Sequence, residues 1–316
     1  MVKAGPTADG SRVTGVTVST VSGWSKISKQ SCLLYLRRFG IVMPMTTPQT
    51  PESEDPHAAL AALNARLDEI VEAAGTDHWN AATPAEGWDV AMQIAHLAWT
   101  DEVSVSAIRD ADAFQTIVDK AMADPAGFVD AGAEEIASTG RDEVLARWRL
   151  ARGELADELK AADPGEKVPW FGPPMRPKSM TTARIMETWA HGVDVADAIA
   201  VPVTDDPAFL AAMPHVARLG FRTRGFSYAM NGREAPASEI HVALTQADGT
   251  VVEFGPADAD QRVSGPLLDF CLLVTQRVHR EDTALEAVGE DAEGWLRIAQ
   301  AFAGLPGGGR EKGARA

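Results

Sequence analysis

The chain of 316 residues is 45% apolar and 6% aromatic, enough for a sizeable core and for two domains. A formal charge of -16 and a pI near 4.8 disfavour nucleic-acid and anionic-membrane binding, which need clustered Lys and Arg. Two cysteines, Cys32 and Cys271, with no C-x-x-C, exclude a disulfide framework, a thiolate zinc knuckle and a clustered iron–sulfur site, and fit a reducing cytoplasm.

Residues 1–56 differ from the remainder. They are rich in Gly, Ser, Thr and Val without a steady period, and basic within an acidic chain. The apolar run 32–43 is broken by Arg37 and Arg38 and falls short of the ~20 residues of a membrane span. Neither a signal peptide nor a membrane anchor is expected. The segment reads as a disordered or spurious extension, with Met43 or Met45 as alternative starts.

From residue 57 the pattern becomes helical. Leu60, Leu63, Leu67, Ile70 and Val71 make one apolar stripe over 57–74, ended by Gly75. A loop with Pro84, Gly87 and Trp88 leads to a second helix, 89–111, which Asp89 can cap. His96 falls on its largely apolar face, where a satisfied core imidazole and a ligand are both open readings. A short helix is expected over 126–138 and a long one over 142–162, which stops at AADPGE. The proline-rich segment 168–178 must be a loop. Its Trp170 and Phe171 either plug the core or wall a pocket. Ser179 opens the helix 179–200, which carries METWAHGVDVADA.

Glu187 and His191 in that stretch are four residues apart, so they share one helix face and can hold two corners of a metal ion. The pair alone is a weak signal. The four long helices, however, have the lengths and stripes of a four-helix bundle, and bundles build metal sites from facing helices. His96 on the second helix and Glu187 with His191 on the last could therefore converge. Trp99, one turn from His96, is either core or pocket wall.

After Pro202 the character changes. A helical stretch over 206–231 holds Arg218, Arg222 and Arg224. Alternating segments 239–245 and 250–254 flank Ala247-Asp248-Gly249, a hairpin signal. Ser264 is expected to cap an apolar helix to Val278, followed by a short strand over 286–289 and a last helix over 290–303. The organisation read from this is an extension at 1–56, a bundle domain at 57–202, an α+β domain at 203–303 and a disordered tail at 304–316.

The segments GWDVAMQIAHLAW and ETWAHGVDVADA resemble the DinB-like, mycothiol-dependent maleylpyruvate isomerase family of actinobacteria. SGPLLDFCLLVTQR is similar to the C-terminal, sterol-carrier-like domain of the same family. An arginine-over-lysine bias with abundant Ala, Gly and Asp fits a GC-rich genome of that kind. The resemblance covers about 57–303 and lies closer to an uncharacterised metal-binding branch than to the isomerase. It implies a mainly α protein, a DinB-like bundle with a smaller α+β domain, and zinc ligands at His96, Glu187 and His191. It also implies Arg277 as a basic residue facing the metal, and mycothiol as the thiol. Trp99 and Trp170 are the aromatic candidates for cofactor contact.

Two imidazoles and one carboxylate leave zinc an open position, the catalytic arrangement. A thiol bound there ionises at neutral pH, and Arg277 would bind a substrate carboxylate. Asp194 and Asp197 are candidates to orient a ligand imidazole, or simply solvated charges. The partners expected are a small electrophilic substrate and a low-molecular-weight thiol, with no nucleic acid and no membrane. Competing readings are a zinc hydrolase of amides or esters, and a non-catalytic metal- or ligand-binding protein. A third, a role in tRNA wybutosine synthesis, has only the arginine run in its favour.

Overall fold

The computed structural model describes residues 55–316, apart from 126, 303, 305, 308 and 316. The expected extension at 1–56 lies almost wholly outside the described residues. The helices are α1 (Pro56–Ala74), α2 (Val90–Arg109), α3 (Ala111–Ala123), α4 (Phe128–Ala137), α5 (Arg141–Ala161), α6 (Pro177–Ala198), α7 (Pro207–Arg222) and α8 (Arg224–Met230). They are followed by β1 (Ile240–Thr245), β2 (Val251–Phe254), β3 (Gln261–Pro266), α9 (Leu267–Val274), β4 (Glu286–Val288) and α10 (Glu290–Leu296). The protein is mainly α, a four-helix bundle followed by a small α+β portion. Among the described residues no helix is long and apolar enough to cross a membrane.

The expected bundle forms from α1, α2, α5 and α6, with α2 packed on α5 and α6, and α1 on α6. Local chemistry sets the helix starts. Asp55 and Asp89 cap α1 and α2 through side-chain oxygens, and Pro56 and Pro177 occupy first-turn positions that need no amide hydrogen. Leu63, Leu67, Ile94, Leu145, Trp148, Ile185 and Trp189 are almost wholly buried between them. On the outside, Asp68 of α1 receives guanidinium groups from Arg149 and Arg152 of α5.

One piece of this half differs from expectation, and one is more closely defined than expected. The helix α3 has no counterpart in the sequence reading; Asp110 caps it through a side-chain oxygen, and Phe114, Val118 and Ala121 are buried on it. The loop 168–178 is closed at its base by paired hydrogen bonds between Val168 and Met175. It presents Trp170 and Phe171 to Phe114, in a second buried cluster with Val103, Leu155 and Met180.

The principal core continues without a break from the bundle, through Phe209 and Val216 of α7, to Val242, Phe270 and Trp295. Gly220 makes the close approach possible, since a Cβ there would lie 2.8 Å from Val274 of α9. The helix read over 206–231 is interrupted at Thr223, which divides it into α7 and α8.

The sheet order is β2-β1-β3-β4. The hairpin β1–β2 forms as expected, with Gly249 at φ 86° in its turn. Ser264 does not cap a helix. It lies inside β3, paired in parallel with Ala243 of β1, and α9 starts only at Leu267 and ends at Val274. The apolar run itself, from Leu267, is helical, while parallel pairing with the distant β1 drew the residues before it into a strand. The last helix ends at Leu296 rather than 303, because the chain then turns back and Ala301 donates to the carbonyl of Val274.

Candidate metal centre

His96 projects from α2 and Glu187 with His191 from α6, and the three side chains meet. Each offers one ligand atom, and these atoms lie within 4.8 Å of one another. Glu187 Oε2 is 3.4 Å from His96 Nε2 and 3.2 Å from His191 Nε2. Among the described residues no fourth His, Cys, Asp or Glu joins the group. The group is enclosed yet reachable, with 9%, 21% and 13% of the side chains of His96, Glu187 and His191 exposed.

The second nitrogen of His191 is fixed by an amide. Thr83 Oγ1 donates to the carbonyl of Trp88 at 2.8 Å and accepts from Gln93 Nε2 at 2.9 Å. That sets the Gln93 amide with its oxygen toward the imidazole, 2.5 Å from His191 Nδ1. Nδ1 therefore carries the proton, and the Nε2 lone pair is left toward Glu187. Burial, helped by the neighbouring His96, pushes the His191 pKa down to about 4, so the ring is neutral at pH 7. Burial works against the Glu187 carboxylate, but a hydrogen bond from His96 and the Arg184 charge hold it well below its ordinary value. Both states are those of a metal ligand. His96 Nδ1 is buried without a hydrogen-bond partner.

Behind the group stands a buried polar layer. Arg184 Nη2 donates to Thr100 Oγ1 at 2.8 Å, and Thr100 in turn donates to the carbonyl of His96. Arg184 Nε lies 3.2 Å from Asp101 Oδ1. Burial pushes the Asp101 carboxyl up to about 6, against the pull of Arg184. In front stands Trp88, its ring 5.2 Å from that of His96 and stacked 5.9 Å from that of His191.

Trp99 lies 6.0 Å from His96, ring to ring, and its indole rests on α4 at Gly132. Trp170 is set apart from the group and linked to it through the aromatic series Trp99, Phe128 and Phe171. Arg277 comes across from the turn after α9 and pairs with Asp194, one helical turn beyond His191. Asp194 and Asp197 are therefore not partners of a ligand imidazole. Asp194 is buried and bound by Arg277 and Arg310, and Asp197 by Arg310 and Arg315. Gln93, Arg184 and Asp101 were not singled out from sequence. The signal open to view was that Gln93 precedes His96 by one helical turn and shares its face.

A cavity of about 220 Å³ lies elsewhere, among Val278, Arg280, Glu293, Leu296 and Gly309, and shares no residue with this group.

Residues 60–196 match the family model described as the mycothiol maleylpyruvate isomerase N-terminal domain. That stretch of the chain therefore carries this domain. Two uncharacterized proteins of Mycobacterium tuberculosis, from strains CDC 1551 and H37Rv, are similar to this chain. Each is 47% identical over 261 residues, 81% of this chain and 99% of the relative. Two solved structures, the mycothiol-dependent maleylpyruvate isomerase and a mutant of it, superpose with a TM-score of 0.48 at 13% identity. They cover 74% of this chain and 92% of their own.

Proposed function

We propose that this chain is a divalent-metal enzyme that works with a low-molecular-weight thiol, as an isomerase or thiol S-transferase. Zinc is the metal and mycothiol the thiol that the family favours. The observation that carries the reading is the convergence of the three donors, whose ligand atoms lie within 4.8 Å of one another. Ligands of a tetrahedral zinc stand at about 2.0–2.1 Å from the ion, and hence about 3.3 Å from one another. The 3.4 and 3.2 Å separations of Glu187 Oε2 from the two Nε2 atoms fit that edge.

His96, Glu187 and His191 would hold the ion and leave one position open. An ion so held supplies Lewis acidity and ionises a coordinated thiol at neutral pH. The protein's own residues supply the remaining conditions. Gln93 keeps His191 in the ligating tautomer, and Arg184 favours the ionised Glu187. Trp88 packs against both imidazole rings. Arg277 has a buried Nε donor without a partner, suited to a substrate carboxylate.

The hydrolase reading requires a free general base near the metal. The nearby carboxylates are engaged, Asp101 with Arg184 and Asp194 with two arginines. A purely structural metal would call for a fourth protein ligand. The tRNA reading is weakened by Arg224, whose guanidinium donates to the carbonyls of Ser238 and Pro236.

Metal analysis of the full chain tests the proposal. One zinc per chain, lost in His191→Ala, is the expected result. A metal-free protein, or equal metal in the variant, would overturn it.

A further inference from the structure

Arg277 has a fixed backbone. The helix α9 ends in a pair of hydrogen bonds, Gln276 N–H to the Leu273 carbonyl and Arg277 N–H to the Leu272 carbonyl. Gln276 takes φ 62°, the left-handed conformation that this helix ending needs, without being glycine. The Arg277 side chain is then anchored at two of its nitrogens. Nη1 donates to the Thr275 carbonyl and Nη2 to Asp194 Oδ2 at 2.7 Å. Nε is the donor left over.

Asp194 has two oxygens and shares them between two chain segments. Oδ2 takes Arg277, and Oδ1 takes Arg310 Nη2 at 2.8 Å. The Asp194 side chain is only 4% exposed, so water does not compete for these positions. Arg310 also reaches Asp197 with Nη1 at 2.7 Å, and Arg315 donates to the same Asp197 oxygen. The tail is held on its other side as well, by Lys312 on Glu281 and by Gly313 N–H on Asp282. Residues read as a disordered tail thus form a strap from α6 to the turn at 280–282. Three guanidinium groups face two carboxylates here, and the surplus positive charge favours a small anion.

With both oxygens free, a carboxylate pairs with a guanidinium through two parallel hydrogen bonds. Here Arg310 takes Oδ1, and Arg277 meets Asp194 through Nη2 alone, so its Nε stays out of that pair. We infer that Asp194 and the tail residue Arg310 are positioning residues for Arg277, which make the C-terminal tail part of carboxylate recognition at the proposed metal site. The inference rests on the reading given under the proposed function, and its ligand class is a small carboxylate-bearing molecule.

The test is calorimetric titration of the zinc-loaded full chain with maleate, with zinc content measured on the same samples. Arg310→Gln should keep its zinc and bind maleate roughly tenfold more weakly, the scale of one charge-assisted hydrogen bond. Arg277→Gln should lose at least as much. The double variant should bind no more weakly than Arg277→Gln, because Arg310 acts through Arg277. Arg315→Gln, which touches Asp197 alone, separates positioning from general tail docking and should stay within about twofold of the wild type.

Wild-type maleate affinity in Arg310→Gln would overturn the inference, as would full additivity with Arg277→Gln, an equal loss in Arg315→Gln, or no maleate binding to the zinc-loaded wild type. In each of these cases the zinc content leaves the metal reading standing. A wild type without zinc overturns both.

Discussion

Gln93 and His191, 98 positions apart in sequence, meet at 2.5 Å between the amide oxygen and Nδ1. The contact decides which imidazole nitrogen is free to bind a metal. It depends on Thr83, which orients the amide from the loop before α2. Replacing Gln93 by Leu removes the acceptor and leaves the His191 tautomer unspecified. Zinc affinity should fall about 10- to 100-fold, the usual effect of losing such an outer hydrogen bond. Competition with a chromophoric chelator would measure it, and unchanged affinity would show that the amide has no such role.

Gly132 lets α4 lie directly against Trp99. A Cβ at this position would come 2.5 Å from the indole nitrogen. Gly132→Ala must push the indole aside, and Trp99 is the ring next to His96. The expected destabilisation is about 1–3 kcal/mol, as for other overpacked sites, despite the better helix propensity of Ala. Urea unfolding would give the loss, and tryptophan emission would report the displaced ring.

His215 is buried in α7, and burial, with the charges of Arg218 and Lys178, pushes its pKa from 6.5 down to about 4. The unfolded chain therefore binds the proton more readily than the folded one between those values. Stability from this group is complete above pH 6.5 and is lost as pH falls toward 4. The loss should reach about 2 kcal/mol by pH 5. Asp101 acts in the opposite direction. Its pKa is raised to about 6, so its contribution improves as pH falls. The comparison that isolates His215 is the stability difference between wild type and His215→Gln at pH 7 and pH 5. That difference should shift by about 2 kcal/mol against the wild type at the lower pH. A constant difference would show that His215 does not titrate in this range.

The long helices of the bundle were legible in the sequence because their information is local. Apolar spacing at Leu60, Leu63 and Leu67, the Asp89 cap, Gly75 and the prolines of 168–178 each act within a turn or two of chain. The spacing of Glu187 and His191 belongs to the same class, and the bundle pattern was enough to bring His96 toward them. Tertiary structure alone decided the relations between distant residues. Ser264 entered a strand because Ala243 offered a parallel partner, and the last helix stopped where Ala301 turned back to Val274. Asp194, open to reading as a solvated charge or an imidazole partner, became the junction of Arg277 and Arg310, 83 and 116 positions away. Such contacts depend on which faces pack together. No local period records them, since a charged residue on a helix looks the same in sequence whether water or a guanidinium group meets it.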